Sequence, residues 1–373
     1  MAVHSTLSQL ELPALLPGSQ LYDPHLTEDP AEYPAEESRS VLPYLLEKSP
    51  EFRDLSDMRQ QGWEAPERNE YSTTVLRSAD ESVENRAAYL HKFMSTTAHE
   101  FDEATSAFKV QSVDSTPPAI LDMCMTPGAL LEIALKRNPG ARALAFSLPV
   151  SCGGYKTSLA SNLNTKRVFL DLTMLAADMG VDQIPEGHED TENFLPQQLE
   201  EGRLFDLVIC DGQVLRQHSR APYGGSRGAR RVAITQLALG LQHLRPGGTM
   251  IILLHRLETW NTVNVIWKFH KISSVRLFKP KSSYTKRSTF YMVATNVESQ
   301  RLEAIEAVKL WKRIWRMATF GSDEEYGKVL LDEESSVETL LEDFGPELVK
   351  LGKAIWKTEA DSLAKVPFAN KPE

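Results

Sequence analysis

The sequence is poor in cysteine, in long apolar runs and in the glycine clusters that bind dinucleotides. Its three cysteines, Cys124, Cys152 and Cys210, lie far apart among 373 residues, with no Cys-x-x-Cys pair. That spacing excludes a disulfide framework and a cysteine-built zinc site. It fits a reducing compartment and so an intracellular protein, cytoplasmic or nuclear, rather than a secreted one. Apolar runs stop at strand length, as in Met250–Leu254, well short of the roughly 18 residues of a membrane span. The first twenty residues hold one Glu and no Lys or Arg, unlike the basic start of a signal or transit peptide. No Gly-x-Gly-x-x-Gly occurs, which leaves a dinucleotide pyrophosphate site unsupported. No cluster of metal ligands is visible. What remains is a globular composition, 42% hydrophobic and 25% charged, with enough apolar material for a sizeable core.

Charge is unevenly spread. The chain carries −10 overall, yet between Gly212 and Val297 fourteen Lys and Arg face a single acid, Glu258. That segment is therefore at +13 and the remainder at −23. A field of one sign over such a length suits a polyanion. The alternative is that these cations pair with the acidic remainder inside the fold.

Composition divides the chain into three. Residues 1–80 are rich in acid and hold eight of the 21 prolines, which reads as a partly ordered arm with short helices around VLPYLLEKSPEF. Residues 81–297 alternate helices and strands. A capping box at Ser78–Glu81 opens a helix with apolar residues from Ala88 to Phe101. Strands follow at AILDMC, ARALAFSL, RVFLDLTML, LFDLVICD, TMIILLH and TFYMVATN, and helices at ALLEIALKRN and RRVAITQLALGLQHL. Alternation of this kind predicts an α/β fold with a mostly parallel sheet and helices on both faces. Residues 298–373 read as helices. Leu302, Ile305, Val308, Trp311, Ile314 and Trp315 form a packing stripe, and a second helix follows Gly345-Pro346.

Four segments carry candidate chemistry. Asp122 through Ala129 (Asp122, Met123, Cys124, Met125, Thr126, Pro127, Gly128, Ala129) reads as strand, tight turn and helix start, where an open α/β sheet binds ligands. Asp211 closes the strand Phe205–Cys210 and is followed by Gly212, so its carboxylate can face a cleft or cap a turn. Asp171 ends the strand before Leu172 and can accept from an exocyclic amine or cap the next helix. Finally, Lys279 to Ser288 packs Lys279, Lys281, Lys286 and Arg287 among Ser and Thr, a composition suited to phosphate oxygens. The segment Tyr223 to Arg231, with Arg227, Arg230 and Arg231, has the same character, and Tyr223 can stack on a base.

From about Asn85 to Asn296 the order of these motifs resembles the FtsJ-like, ribose 2′-O-methyltransferase family, in its fungal phrasing. The family opening DLCxAPGG reads Asp122 to Ala129. Leu148-Pro149 with Gly153-Gly154 matches the end of the second strand. DLVxxDG reads Asp206 to Gly212, LxPGG reads Leu244 to Gly248, and KPxSS with an aromatic strand reads Lys279 to Tyr291. The resemblance implies a Rossmann-like seven-stranded sheet binding S-adenosylmethionine. Asp122, Cys124, Met125, Thr126, Pro127, Gly128 and Ala129 would lie along the cofactor, Leu148 near its adenine or ribose, Asp171 at the adenine amine, and Asp211 beside the sulfonium and the reacting hydroxyl. Tyr223, Arg227, Arg230, Arg231, Lys279, Lys281, Lys286 and Arg287 would hold RNA, the partner implied by segment 212–297.

The family's catalytic Lys-Asp-Lys-Glu set is incomplete. Asp211 supplies the Asp, and Lys92 or Lys109 the first Lys. Leu253 stands at the second Lys, with His255 or Arg256 as substitutes. Thr289 stands at the Glu, Ala129 at the second Gly of the turn, and Ser147 where an acid usually follows the second strand. The expected activity is RNA methylation at ribose 2′-oxygen. The alternative is a degenerate methyltransferase fold that binds RNA or a protein partner.

Overall fold

The computed structural model describes residues 40–64, 83–110, 116–213, 227–282, 284–331 and 336–365. The Ser78 capping box and Tyr223 lie outside them. Seven strands form one sheet: β1 (Ala119–Asp122), β2 (Arg142–Ser147), β3 (Thr165–Phe169), β4 (Phe205–Cys210), β5 (Leu244–His255), β6 (Ser274–Phe278) and β7 (Thr289–Val297). Their spatial order is β3-β2-β1-β4-β5-β7-β6. The first five run parallel, and β7 is antiparallel to both β5 and β6.

Strand β4 is buried throughout, which explains its unbroken apolar run. Alternate residues feed two cores. Val208, Cys210, Met250, Ile252, Phe290 and Met292 face one way. Leu207, Ile209, Ile251, Leu253, Tyr291 and Val293 face the other. The second core is roofed by α3 (Val83–Thr105) and α4 (Ala129–Arg137). The larger one packs under α5 (Arg227–Gln242), α6 (Trp260–Ile272), α7 (Leu302–Phe320), α8 (Asp323–Leu331) and α9 (Val337–Leu363). It also takes in α1 (Leu42–Lys48) and α2 (Pro50–Glu64), whose Leu45, Phe52 and Leu55 are buried and whose Phe52 ring meets Trp356 at 5.3 Å.

Three local readings are corrected. The expected break at Gly345-Pro346 is absent: α9 runs through Pro346, because Phe344, Leu348, Ile355 and Trp356 keep both halves on one core. The stripe of α7 buries Trp311, Ile314 and Trp315, but Leu302 and Ile305 are exposed, and Ala304 and Ala307 take the inward positions. The helix expected after Asp171 is only a 3₁₀ turn, Leu172–Met174. Two elements went unread, α6 and the edge strand β6, whose Ser-Val-Arg-Leu-Phe is short and half-polar.

Candidate active site

The turn after β1 is stitched to its neighbours. Met123 N–H donates to Ile209 O and Met125 N–H to Phe146 O, each at 2.9 Å. Asp122 is buried, and its Oδ1 accepts from Cys124 N–H at 3.0 Å. Burial pushes its carboxyl up to about 7, against a smaller downward pull from that N–H. Gly128 begins the turn into α4 at φ +117°, a conformation L side chains rarely adopt. Any Cβ there would lie 3.0 Å from Leu159 Cβ, and Ser158 N–H donates to Pro127 O at 2.9 Å. Segment 158–159 therefore lies against the turn. Met125, Pro127, Gly128 and Ala129 are buried, while Cys124 and Thr126 stay partly exposed. Thr126 Oγ1 is 2.7 Å from Ser147 Oγ.

Asp211 follows β4 on the face that carries Asp122 two residues beyond Ile120, by the alternation of the pleat. Its Oδ1 accepts from Tyr291 Oη at 3.2 Å. Burial first, then the Asp122 carboxyl, push Asp211 well above the usual carboxylate range, and the Tyr291 bond only partly opposes this. Two like-charged groups in one place cannot both ionise cheaply. Behind Asp211, Gln236 of α5 clamps Gly212, accepting from its N–H at 2.8 Å and donating to its carbonyl at 3.1 Å. A Cβ on Gly212 would fall 2.3 Å from Cys124 Sγ, so the Asp-Gly pair is a packing requirement of the two adjoining turns.

At the end of β3, Asp171 caps the 3₁₀ turn. Its Oδ1 accepts from both Thr173 N–H and Thr173 Oγ1 at 2.8 Å. Leu148 is partly exposed at the end of β2. Its carbonyl lies so close to Gly154 that a Cβ there would come within 2.0 Å, so the Gly pair lets the chain fold back at this point.

The ends of β5 and β7 carry Leu253, His255 and Thr289. Register sets Leu253 opposite Tyr291 and His255 opposite Thr289. His255 Nδ1 lies 3.0 Å from Thr289 Oγ1, so the residue at the Glu position pairs with the candidate substitute for the second Lys. All four share the sheet face of Asp211. Lys92 and Lys109 are exposed. Instead, Met94 points inward and its sulfur accepts from Tyr284 Oη at 3.3 Å. Tyr284, on the loop after β6, is itself within electrostatic reach of Asp211.

The basic segment is only partly a surface. Arg231 is buried, donates to Thr173 O at 2.8 Å and stacks over Trp315. Arg227 donates to Gly321 O, pairs with Asp323 and lies over Tyr326. Lys279 is buried against Glu359 at 3.2 Å. These three cations serve the fold: acids of α8 and α9 pair with Arg227 and Lys279, and Trp315 of α7 covers Arg231. Arg230 and Arg287 are half-buried, and Lys281 and Lys286 are exposed. Tyr291, Tyr284 and Gln236 were not singled out from sequence. The aromatic at the start of the last strand was the one signal available for Tyr291.

A family model described as FtsJ-like methyltransferase matches residues 93–297, more than half of the chain. The chain belongs to the FtsJ-like methyltransferase family. No curated protein matches it. Among solved structures, human methyltransferase-like protein 13 in complex with SAH is 14% identical, with TM-score 0.31, over 61% of this chain and 91% of that one. A TehB-like SAM-dependent methyltransferase from Corynebacterium glutamicum is 17% identical, with TM-score 0.31, over 57% and 97%. At these scores neither adds to the assignment. The methyl donor of this FtsJ-like family is S-adenosylmethionine. The donor set suits such a group: Asp122 and Asp211 form an acidic end with no cation in hydrogen-bond contact among the described residues, and the donor is cationic. Asp171 and Leu148 would hold its adenine side. Among the described residues no helix is long and apolar enough to cross a membrane.

Proposed function

We propose that this FtsJ-like chain methylates RNA at a ribose 2′-hydroxyl. The observation that supports this reading is the position of the loop after β6. Tyr284 of that loop is buried close enough to Asp211 to feel its charge, and Lys281 and Lys286 on the same loop are exposed. Cations on a loop bordering the reacting carboxyl suit a substrate with phosphates on either side of its acceptor hydroxyl.

When bound, the cofactor supplies an electrophilic methyl group on a sulfonium sulfur. The remaining work falls to the chain. Positioning supplies much of the acceleration in such a displacement. The acceptor hydroxyl must also lose its proton, and Asp211 is the group set to take it. A cationic group bound beside the two carboxyls would lower their pKa and favour the charged Asp211, whose Oδ1 Tyr291 orients.

Leu253 and Thr289 favour a second reading, in which the chain binds cofactor and RNA without methylating ribose. The test is methyl transfer from labelled S-adenosylmethionine to a pool of unmodified RNA, followed by digestion to nucleosides. Label in 2′-O-methylnucleosides, lost in Asp211→Ala, supports the first reading. Cofactor and RNA binding without label transfers the conclusion to the second.

A further inference from the structure

A carboxylate is lodged where the loop after β6 converges three donors. Glu100, on α3, accepts from the backbone N–H groups of Lys281 (2.5 Å) and Ser282 (3.0 Å) and from the Ser282 hydroxyl. Consecutive N–H groups aimed at one point make a nest for an anion. Among the described residues no Lys or Arg forms an ion pair with Glu100, so these donors are what holds it.

The nest is rigidly based. At the neck of the loop, Lys279 Nζ donates to Thr289 O at 3.1 Å, to Arg287 O and to Glu359. At its middle, Tyr284 is buried, edge-on to Phe93 at 5.0 Å and bonded to Met94. Between these anchors Lys281, Ser282 and Lys286 remain exposed. The loop thus presents two N–H groups, a hydroxyl and two exposed cations, and Phe101, next to Glu100 on α3, stacks at 5.1 Å on Tyr291, which bonds Asp211.

We propose that the Lys281–Ser282 nest binds a backbone phosphate of the RNA substrate, and that Glu100 fills it in the free protein as a mimic of that phosphate. The inference rests on the RNA reading above. A phosphodiester matches the carboxylate in charge and in acceptor oxygens, and its neighbours along the strand reach Lys281 and Lys286. Glu100 is half-buried and Lys281 and Ser282 are exposed, so the carboxylate returns to water at modest desolvation cost. Until it leaves, its charge repels the incoming phosphate.

The test is fluorescence anisotropy of a short labelled single-stranded RNA, with inorganic polyphosphate as a second probe, on the full chain. Glu100→Ala is expected to tighten RNA about tenfold, the scale of one charge-assisted hydrogen bond. Glu100→Gln, which keeps an acceptor but no charge, should fall between it and the wild type. Lys281→Ala with Lys286→Ala should weaken binding and flatten its salt dependence by about 0.7 in log–log slope for each phosphate left unneutralised. Unchanged or weaker binding in both Glu100 variants, with unfolding temperatures unchanged, would make Glu100 a clamp and overturn the proposal. If Glu100→Ala lowers the unfolding temperature, Glu100→Gln decides alone. Polyphosphate binding tightened by Glu100→Ala, with no RNA bound by any variant, overturns the RNA reading and leaves the nest as a phosphate site.

Discussion

Tyr291 Oη donates to Asp211 Oδ1 over 3.2 Å, so the carboxyl at the end of β4 has a neutral partner. A lysine in that place would hold the carboxyl ionised. Tyr291 can only share a proton with it, and Asp122 close by raises the cost of charge further. Burial and the neutral partner therefore favour the uncharged form of this carboxyl pair, and a cation entering beside it would favour the charged one.

The first consequence is for stability. Asp122 sits at about 7 in the folded chain, against about 3.9 unfolded. Between those values the folded state binds more protons, so stability falls as pH rises through that window and the loss is complete above the folded value. Asp122→Asn keeps the acceptor for Cys124 N–H and removes the charge. It should raise the unfolding temperature by a few degrees at pH 8 and change it little at pH 4. Equal shifts at both pH values would mean that Asp122 ionises normally.

Cofactor binding should carry the same proton. A cation entering beside Asp122 and Asp211 drives off protons, so S-adenosylmethionine should bind more tightly as pH rises from about 6 to 8, by up to about tenfold per unit for each proton released. The demethylated product lacks the sulfonium charge and should show a shallower dependence. Calorimetry in buffers of different ionisation enthalpy measures the release directly. Identical profiles for the two ligands would place the sulfonium away from these carboxyls.

A buried charge network joins α2 and α9 to the loop after β6. Arg59 of α2 donates to Glu258 at 2.6 Å and to Glu359 of α9 at 2.8 Å, and Glu359 also accepts from Lys279. Burial opposes the charge on Glu258, but Arg59 and Arg256 overcome it and hold its pKa at about 2. Removing one member strands the others, at a cost of about 3–5 kcal/mol. Glu359→Gln should lower unfolding free energy in denaturant by about that amount. Arg59→Met with Glu359→Leu should lose less than the sum of the single changes.

Much of this architecture was legible beforehand. The apolar run of β4, the Asp-Gly at its end and the Pro-Gly-Gly entering β5 are local signals with local causes, and they placed the sheet and Asp211. Asp171 was open between two roles and is at least a cap, since Oδ1 serves Thr173. What could not be read was which cations face outward. Arg231, Arg227 and Lys279 look like Lys281 in sequence, and only the return of α7 to α9 over the sheet decides that they are buried or paired. Tyr291 was hidden for a related reason: its partner lies 80 residues away, on the far side of β5.

The register of β5 against β7 gives a direct way to ask whether the catalytic set is incomplete or rearranged. Leu253 faces Tyr291, and Tyr291 touches Asp211. Leu253→Lys would thus bring an ammonium to the Asp211–Tyr291 pair from a strand that already holds its backbone. Opposite charge at that range lowers the carboxyl pKa by about 1–3 units. If ribose methylation is limited by the neutral state of Asp211, Leu253→Lys should raise the rate at pH 7 by about ten- to a hundredfold and move the rise of the pH–rate profile to lower pH. The lysine enters a nearly buried site, so the unfolding temperature should fall. Thr289→Glu in the same chain places a carboxylate one step along β7 and should recover part of it. A rate unchanged in Leu253→Lys, with cofactor still bound, would show that Asp211 is already ionised in the complex and that His255 and Thr289 are a working substitute for the missing pair.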